Sequence, residues 1–317
     1  MEKRSNNDIF FETHKAIDKM IEGKEKELAR EYLVALNSIK LMLSDAYEKY
    51  GVDGILNREE AVKYGRLAKI EQHIIEQIQK LTKIQVRITK ESILNTFTDA
   101  YYRYGYMIEN ASELAIYSML SQEIINQMLY NELDTVTWEE RIEENNNVLV
   151  RQLREELTTG LIQGLTYTAV AKSVSERLNI GANKAKKIVR TETRRVQEEA
   201  NLKSMQDAKK KGIITKKQWV STLDSRTRDT HKHLDGKVVD IDDYFVSRSG
   251  KKALAPHKFG VAKEDINCRC TMISVIEIDG KVVDNGTRRA RNNGDNEISE
   301  VISYKNYNEW KKDLEGR

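Results

Sequence analysis

The stretch Asp265–Cys270, reading DINCRC, holds the only two cysteines of the chain, Cys268 and Cys270, with Arg269 between them. Thiols at that spacing can ligate a metal, close a bridge, attack a substrate or pack. A bridge over one intervening residue is strained, which sets that use aside. Metal ligation would draw on nearby imidazoles, because thiolates and imidazoles are the ordinary zinc ligands. Three of the five histidines, His231, His233 and His257, fall within forty residues of the cysteines. Paired zinc cysteines usually stand two residues apart rather than one, so a packed polar network is preferred and no metal is favoured. If zinc were held, its ligands would be His231, His257, Cys268 and Cys270.

Nucleophilic attack needs a thiolate beside a base, a role His231 or His257 could fill. No local motif supports it, and the chain has neither a glycine-rich phosphate loop nor a distinctive carboxylate pair. Asp224, Arg226, Arg228, His231 and Asp235 make a polar-dense loop resembling an active site. A buried hydrogen-bonded network that fixes an irregular fold requires the same groups, and that reading is preferred.

These residues must be positioned by what precedes them. Leu28, Tyr32, Leu36, Ile39, Leu43 and Tyr47 recur every three or four positions, the stripe of an amphipathic helix that Gly51 and Gly54 should stop. Ile70, Ile74, Ile78 and Leu81 make a second stripe, and Phe97, Tyr101, Tyr104 and Ile108 a third. The tyrosines of TDAYYRYGYMIEN sit at helical spacing and read as core rather than as a base-stacking platform. Thr137 followed by Glu140 forms a capping box that should start a helix at Trp138. That helix should close at Gly160 and Gly164, with Thr166 as the next N-cap. A short helix over Tyr167 to Leu178, a turn at Asn179 to Gly181 and a basic helix from Asn183 to about Lys211 are expected next. This helix–turn–helix outline invites a DNA-reading interpretation, but Glu192, Glu198 and Glu199 among the basic residues favour an ordinary scaffold.

After Gly212 the pattern changes to short apolar bursts with Asp-Gly turns, which suggests strands and loops. CTMISVIEIDGKVVD reads as a hairpin turning at Asp279-Gly280. The fold class expected is therefore a mainly α N-terminal region of long amphipathic helices followed by a small α+β domain with a short antiparallel hairpin. The expected boundaries are a helical partner-binding region over 1–130, a helical part with the basic helix over 131–211, and the α+β unit over 212–283. A flexible linker over 284–297 and a terminal segment over 298–317, with a short helix around Tyr307 to Leu314, should follow.

Among 317 residues, 53 Lys or Arg against 50 Asp or Glu give a net +3, and the single proline with 32% charged residues suits long solvated helices. The basic character is concentrated: Lys184 to Lys217 holds twelve Lys or Arg against four Asp or Glu, a local +8. Two cysteines suggest a reducing compartment, and no run approaches the ~18 apolar residues of a membrane span. Synthesis in the cytoplasm and no membrane association are expected.

WEERI from Trp138, TGLIQGLTY from Thr159, RTETRRVQEEAN from Arg190, DSRTRDTHKHLDGKVV from Asp224 and NCRC from Asn267 follow one another in order. Together they resemble the Mu F-like phage minor head protein, or head morphogenesis, family over roughly Asn131 to Ile276. The resemblance implies a non-enzymatic component inside the virion head, acting in head morphogenesis and DNA ejection. Its implied partners are the portal protein, capsid or scaffolding proteins, and packaged double-stranded DNA touched without sequence specificity. Phosphate contacts would come from Lys184, Lys186, Lys187, Arg194, Arg195, Lys209, Lys210 and Lys211. Arg190, Glu192, Asp224, Arg228, His231, Asp235, Gly236, Asp265, Asn267, Cys268, Arg269 and Cys270 would form one structural network without catalytic residues or cofactor. The family pattern puts cysteines at the positions of Arg228 and His231 and a histidine at that of Asp265, a zinc-like set with the final two cysteines. Here an ion pair of Arg228 with Asp265, or a neighbouring acid in its place, is expected to replace the metal. The competing readings are a metal-dependent nuclease or injected effector centred on His231, Asp224 and the cysteines, and a host DNA-binding regulator.

Overall fold

The computed structural model describes residues 6–112, 117–222, 224–278, 281–282, 287–291 and 299–303. Helices come first: α1 (Asn6–Tyr50), α2 (Arg58–Val62), α3 (Arg66–Ser112), α4 (Gln122–Gln127), α5 (Trp138–Ile162) and α6 (Tyr167–Lys210), with two short strands, β1 (Glu132–Leu133) and β2 (Val136–Thr137), before α5. Short strands and one-turn helices follow: β3 (Ile214–Val220), α7 (Asp229–Lys232), β4 (Val238–Asp240), β5 (Phe245–Val246), β6 (Lys252–Ala253), α8 (Ala262–Asp265), β7 (Thr271–Ile278), β8 (Lys281–Val282), β9 (Thr287–Arg291) and β10 (Ser299–Ser303). The expected class, long helices and then a small mixed region with antiparallel hairpins, is what the chain adopts.

The chain divides into two compact units, and the division is not linear along it. One unit comprises Met1–Met20, Ser92–Thr135 and Arg190–Arg317; the other comprises Ile21–Glu91 and Val136–Val189.

The second unit is mainly helical. Its core joins Leu28, Ile39 and Leu43 of α1 to Ile74 and Ile78 of α3, Leu153 and Leu157 of α5, and Val174 and Leu178 of α6. The capping box that starts α5 is present, with the Thr137 hydroxyl accepting from Glu140 N and Glu140 accepting from Thr137 N at 2.8 Å. At the other end Gly164 takes φ 65, and Leu165 N donates to Gly160 O at 2.9 Å, closing the helix with a six-to-one bond that a left-handed residue permits.

Two sequence expectations are corrected. The second and third stripes belong to one helix of 47 residues. The turn expected at Asn179 to Gly181 does not exist, since α6 runs unbroken for 44 residues and leaves no helix–turn–helix. Gly181 serves close packing rather than a turn: a Cβ there would stand 2.8 Å from Leu149 Cδ2 and 3.1 Å from Tyr32 Cε1.

In the other unit, Tyr101 and Tyr104 of α3 are buried, as core tyrosines should be. The four-stranded sheet has the order β4-β3-β7-β8, all antiparallel, with Trp219 opposite Met272 and Val220 opposite Thr271. Pairing of Ile278 with Lys281 leaves two residues between β7 and β8, the hairpin expected at Asp279-Gly280. Within the segment read as a linker, 287–291 instead forms β9, and it pairs antiparallel with β10 in the register Val301 to Arg289 and Ile302 to Arg288. The helix expected around Tyr307 to Leu314 lies outside the described residues.

Candidate functional site

Cys268 and Cys270 lie on the approach to β7, just after α8 and a left-handed Asn267 with φ 59. Cys268 N donates to Asp265 O at 3.2 Å, closing that bend. In an extended segment alternate side chains point to opposite faces. Both thiols therefore turn the same way and Arg269 turns the other.

On the thiol side stands His231, carried by α7, with Nδ1 3.5 Å from each sulfur. The three donor atoms lie within 4.8 Å of one another, and His231, Cys268 and Cys270 are 1%, 5% and 5% exposed. The opposite ring nitrogen, Nε2, is 3.0 Å from Oε2 of Glu264, close enough for a charge contact though not aligned as a hydrogen bond. Glu264 is itself fixed by the Ser249 hydroxyl at 2.6 Å and the Thr230 hydroxyl at 2.9 Å. Phe259 stacks on the imidazole at 5.5 Å between centroids, and Trp219 meets it edge-on at 5.5 Å.

Burial works against the charged forms of all three groups, but the hydrogen bonds among them decide the direction. Burial raises the Cys268 thiol, with its neighbour Cys270 adding to the rise. Cys270 is brought below the ordinary thiol range despite burial, by hydrogen bonds from Cys268 and His231. His231 rises against burial because Cys270 and Glu264 favour its cation. The three side chains are closed off from solvent.

On the other face, both terminal nitrogens of Arg269 bond the two oxygens of Asp224, the second at 2.6 Å. Arg228 donates to Ile266 O, while Asp265 accepts from Phe259 N at 3.1 Å and Gly260 N at 2.7 Å. The expected Arg228–Asp265 pair is therefore not formed. Asp265 is buried beside backbone N–H groups that satisfy it, and the ion pair that spans the loop is Arg269–Asp224.

The remaining network residues are placed as follows. Asp235 accepts from Ser221 N at 2.8 Å, and the Ser221 hydroxyl donates to His231 O at 3.0 Å. Gly236, at φ 76, donates to Trp219 O and so docks the Leu-Asp-Gly turn on β3. Glu192 is buried with Arg195 at 2.9 Å and Asn131 at 3.2 Å, away from the thiol centre's own contacts, whereas Arg190 is exposed. His233 is exposed, with its ring 2.9 Å from Lys237 Nζ. His257 is 2% exposed and takes φ 64; burial pushes its pKa down to about 3, against backbone hydrogen bonds with Cys270 and Asp265.

Of the basic residues expected to meet phosphate, Arg195 is corrected: it is 4% exposed and donates to Glu192 and, at 2.6 Å, to Met128 O. Arg194 is half-buried and bonds Gln197 and Asp18. Lys187, Lys209, Lys210 and Lys211 are exposed, with Lys209 paired to Asp242 and Lys210 to Asp207, while Lys184 and Lys186 are half-buried.

Sequence reasoning missed Glu264, Glu198 and Lys217. Lys217 had a readable signal, since two-residue alternation puts it on the face of β3 that carries the buried Trp219. Glu264 had none, because an acid in a polar loop announces no partner.

The chain matches the family model described as "Phage Mu protein F like protein" over residues 151–273. It is 32% identical over 302 residues to the "Minor head protein GP7" of Bacillus phage SPP1, covering 95% of this chain and 96% of that protein. It is also 34% identical over 211 residues to the "NAD(+)--arginine ADP-ribosyltransferase EFV" of Enterococcus faecalis, covering 66% of this chain but only 41% of that protein. No solved structure matches.

Proposed function

Because this chain belongs to the Mu F-like family of phage minor head proteins, we propose that it acts at the portal vertex during head morphogenesis, touches packaged DNA without reading sequence, and takes part in ejection. The observation that carries this is similarity to a minor head protein along nearly the whole of both chains. The helical unit offers long solvated faces to a protein partner, and the virion head is where such a component resides. Among the described residues no helix is long and apolar enough to cross a membrane.

DNA contact would fall to Lys187, Lys209, Lys210 and Lys211, which remain at the surface, with Lys184 and Lys186 beside them. Each phosphate contact releases a counterion, so affinity should fall steeply with salt and be equal for unrelated sequences. The ADP-ribosyltransferase name belongs to a relative of which this chain spans less than half, and it is not carried over.

Co-expression with the portal protein of the same phage, followed by native mass measurement, tests the assignment. A portal ring carrying this chain supports it. A portal ring purified without it, together with normal heads from phage lacking the gene, would reject it.

A further inference from the structure

We propose that His231, Cys268 and Cys270 hold one zinc ion and that Glu264 orients His231 from behind. The donors are two sulfurs and an imidazole nitrogen within 4.8 Å of one another, all buried. Two thiolates and imidazole are the preferred set of a structural zinc site.

Two further observations point the same way. A metal-bound histidine ordinarily presents its far nitrogen to a carboxylate, which fixes the ring and strengthens its basicity. His231 does so, with Nε2 3.0 Å from Glu264, and Glu264 is in turn locked by Ser249 and Thr230. Second, the ion pair that would have replaced a metal here, Arg228–Asp265, is not formed.

The family pattern supplies the late cysteine pair; His231 with Glu264 behind it is an assignment of this chain's own geometry. Coordination requires both thiols as thiolates and the His231 ring neutral, so binding sends the displaced protons to solvent. The proposal does not depend on the portal or DNA roles.

The test uses the full chain purified in reductant without chelator. Elemental analysis should find about one zinc per chain, and cobalt(II) in its place should give the intense near-ultraviolet charge-transfer bands of thiolate ligation in a tetrahedral visible spectrum. Glu264→Gln, which keeps the donors and the fold, should weaken zinc about 10- to 100-fold in competition with a chromophoric chelator. Wild-type protein that takes up no stoichiometric zinc or cobalt after reconstitution overturns the site. Unchanged affinity in Glu264→Gln overturns the orienting role of Glu264.

Discussion

Arg269 and Asp224 form a two-pronged contact in which both terminal guanidinium nitrogens donate to the two carboxylate oxygens, and Asp224 is 4% exposed. Arg269 points there because it alternates with two cysteines that turn inward, so one tripeptide fastens two sides of the loop. Removing Arg269 leaves a buried carboxylate held, among the described residues, only by Arg226 and Thr227. Arg269→Ala should cost about 2 kcal/mol, below the usual range for a fully buried pair because Arg269 is partly exposed. Burial opposes the Asp224 charge, but Arg269 outweighs it and holds the pKa below the ordinary value. The pair's contribution is then present above the unfolded pKa and lost as pH falls through the folded one. Urea midpoints at pH 7 and pH 3 should show the variant's deficit shrinking in acid; an equal deficit at both would rule the pairing out as its cause.

Lys217 should prove indispensable to the sheet. Its ammonium is buried and donates to Ile241 O at 2.6 Å and Leu254 O at 2.8 Å, with Phe245 5.4 Å away. Lys217→Met matches the stem but strands two carbonyls, and should destabilise by about 2–4 kcal/mol. Denaturant unfolding measures this, and a neutral substitution would show that water replaces the ammonium.

Glu198 should make stability fall as the medium turns alkaline. Burial raises its pKa to about 8, although the Thr271 hydroxyl at 2.6 Å and Met272 N at 3.0 Å pull the other way. A carboxyl whose folded pKa lies above its unfolded one binds its proton more tightly when folded, so stability declines between the two values, here from pH 4.5 to about 8. The slope from this group reaches at most about 1.4 kcal/mol per pH unit. Glu198→Gln should flatten the decline, and parallel pH profiles for the two proteins would count against it.

Gly160→Ala should destabilise the helical unit, although alanine is the better helix former by about 1 kcal/mol. A Cβ there would stand 2.5 Å from Val170 Cγ2, and a valine in a helix cannot rotate away. Overpacking of this kind costs about 1–3 kcal/mol, leaving a net loss of about 1 kcal/mol. A rise in thermal midpoint would mean that the helices part freely.

Periodicity alone determined the helical stripes from Leu28 to Ile108, the capping box at Thr137 and the late hairpin, because each is a relation among residues a few positions apart. The same local reading went astray at Gly181, where glycine marks the approach of Tyr32 and Leu149 rather than a turn, and it placed Arg195 on a surface from which Glu192 withdraws it. Residue types named His231, Cys268 and Cys270 as a set, yet their convergence, and the choice of Asp224 over Asp265 as the ion-pair partner, depended on how α7, α8 and β7 meet. Those contacts join residues up to 45 positions apart, and which acid faces which cation is fixed by packing and by backbone N–H groups competing for the same carboxylates.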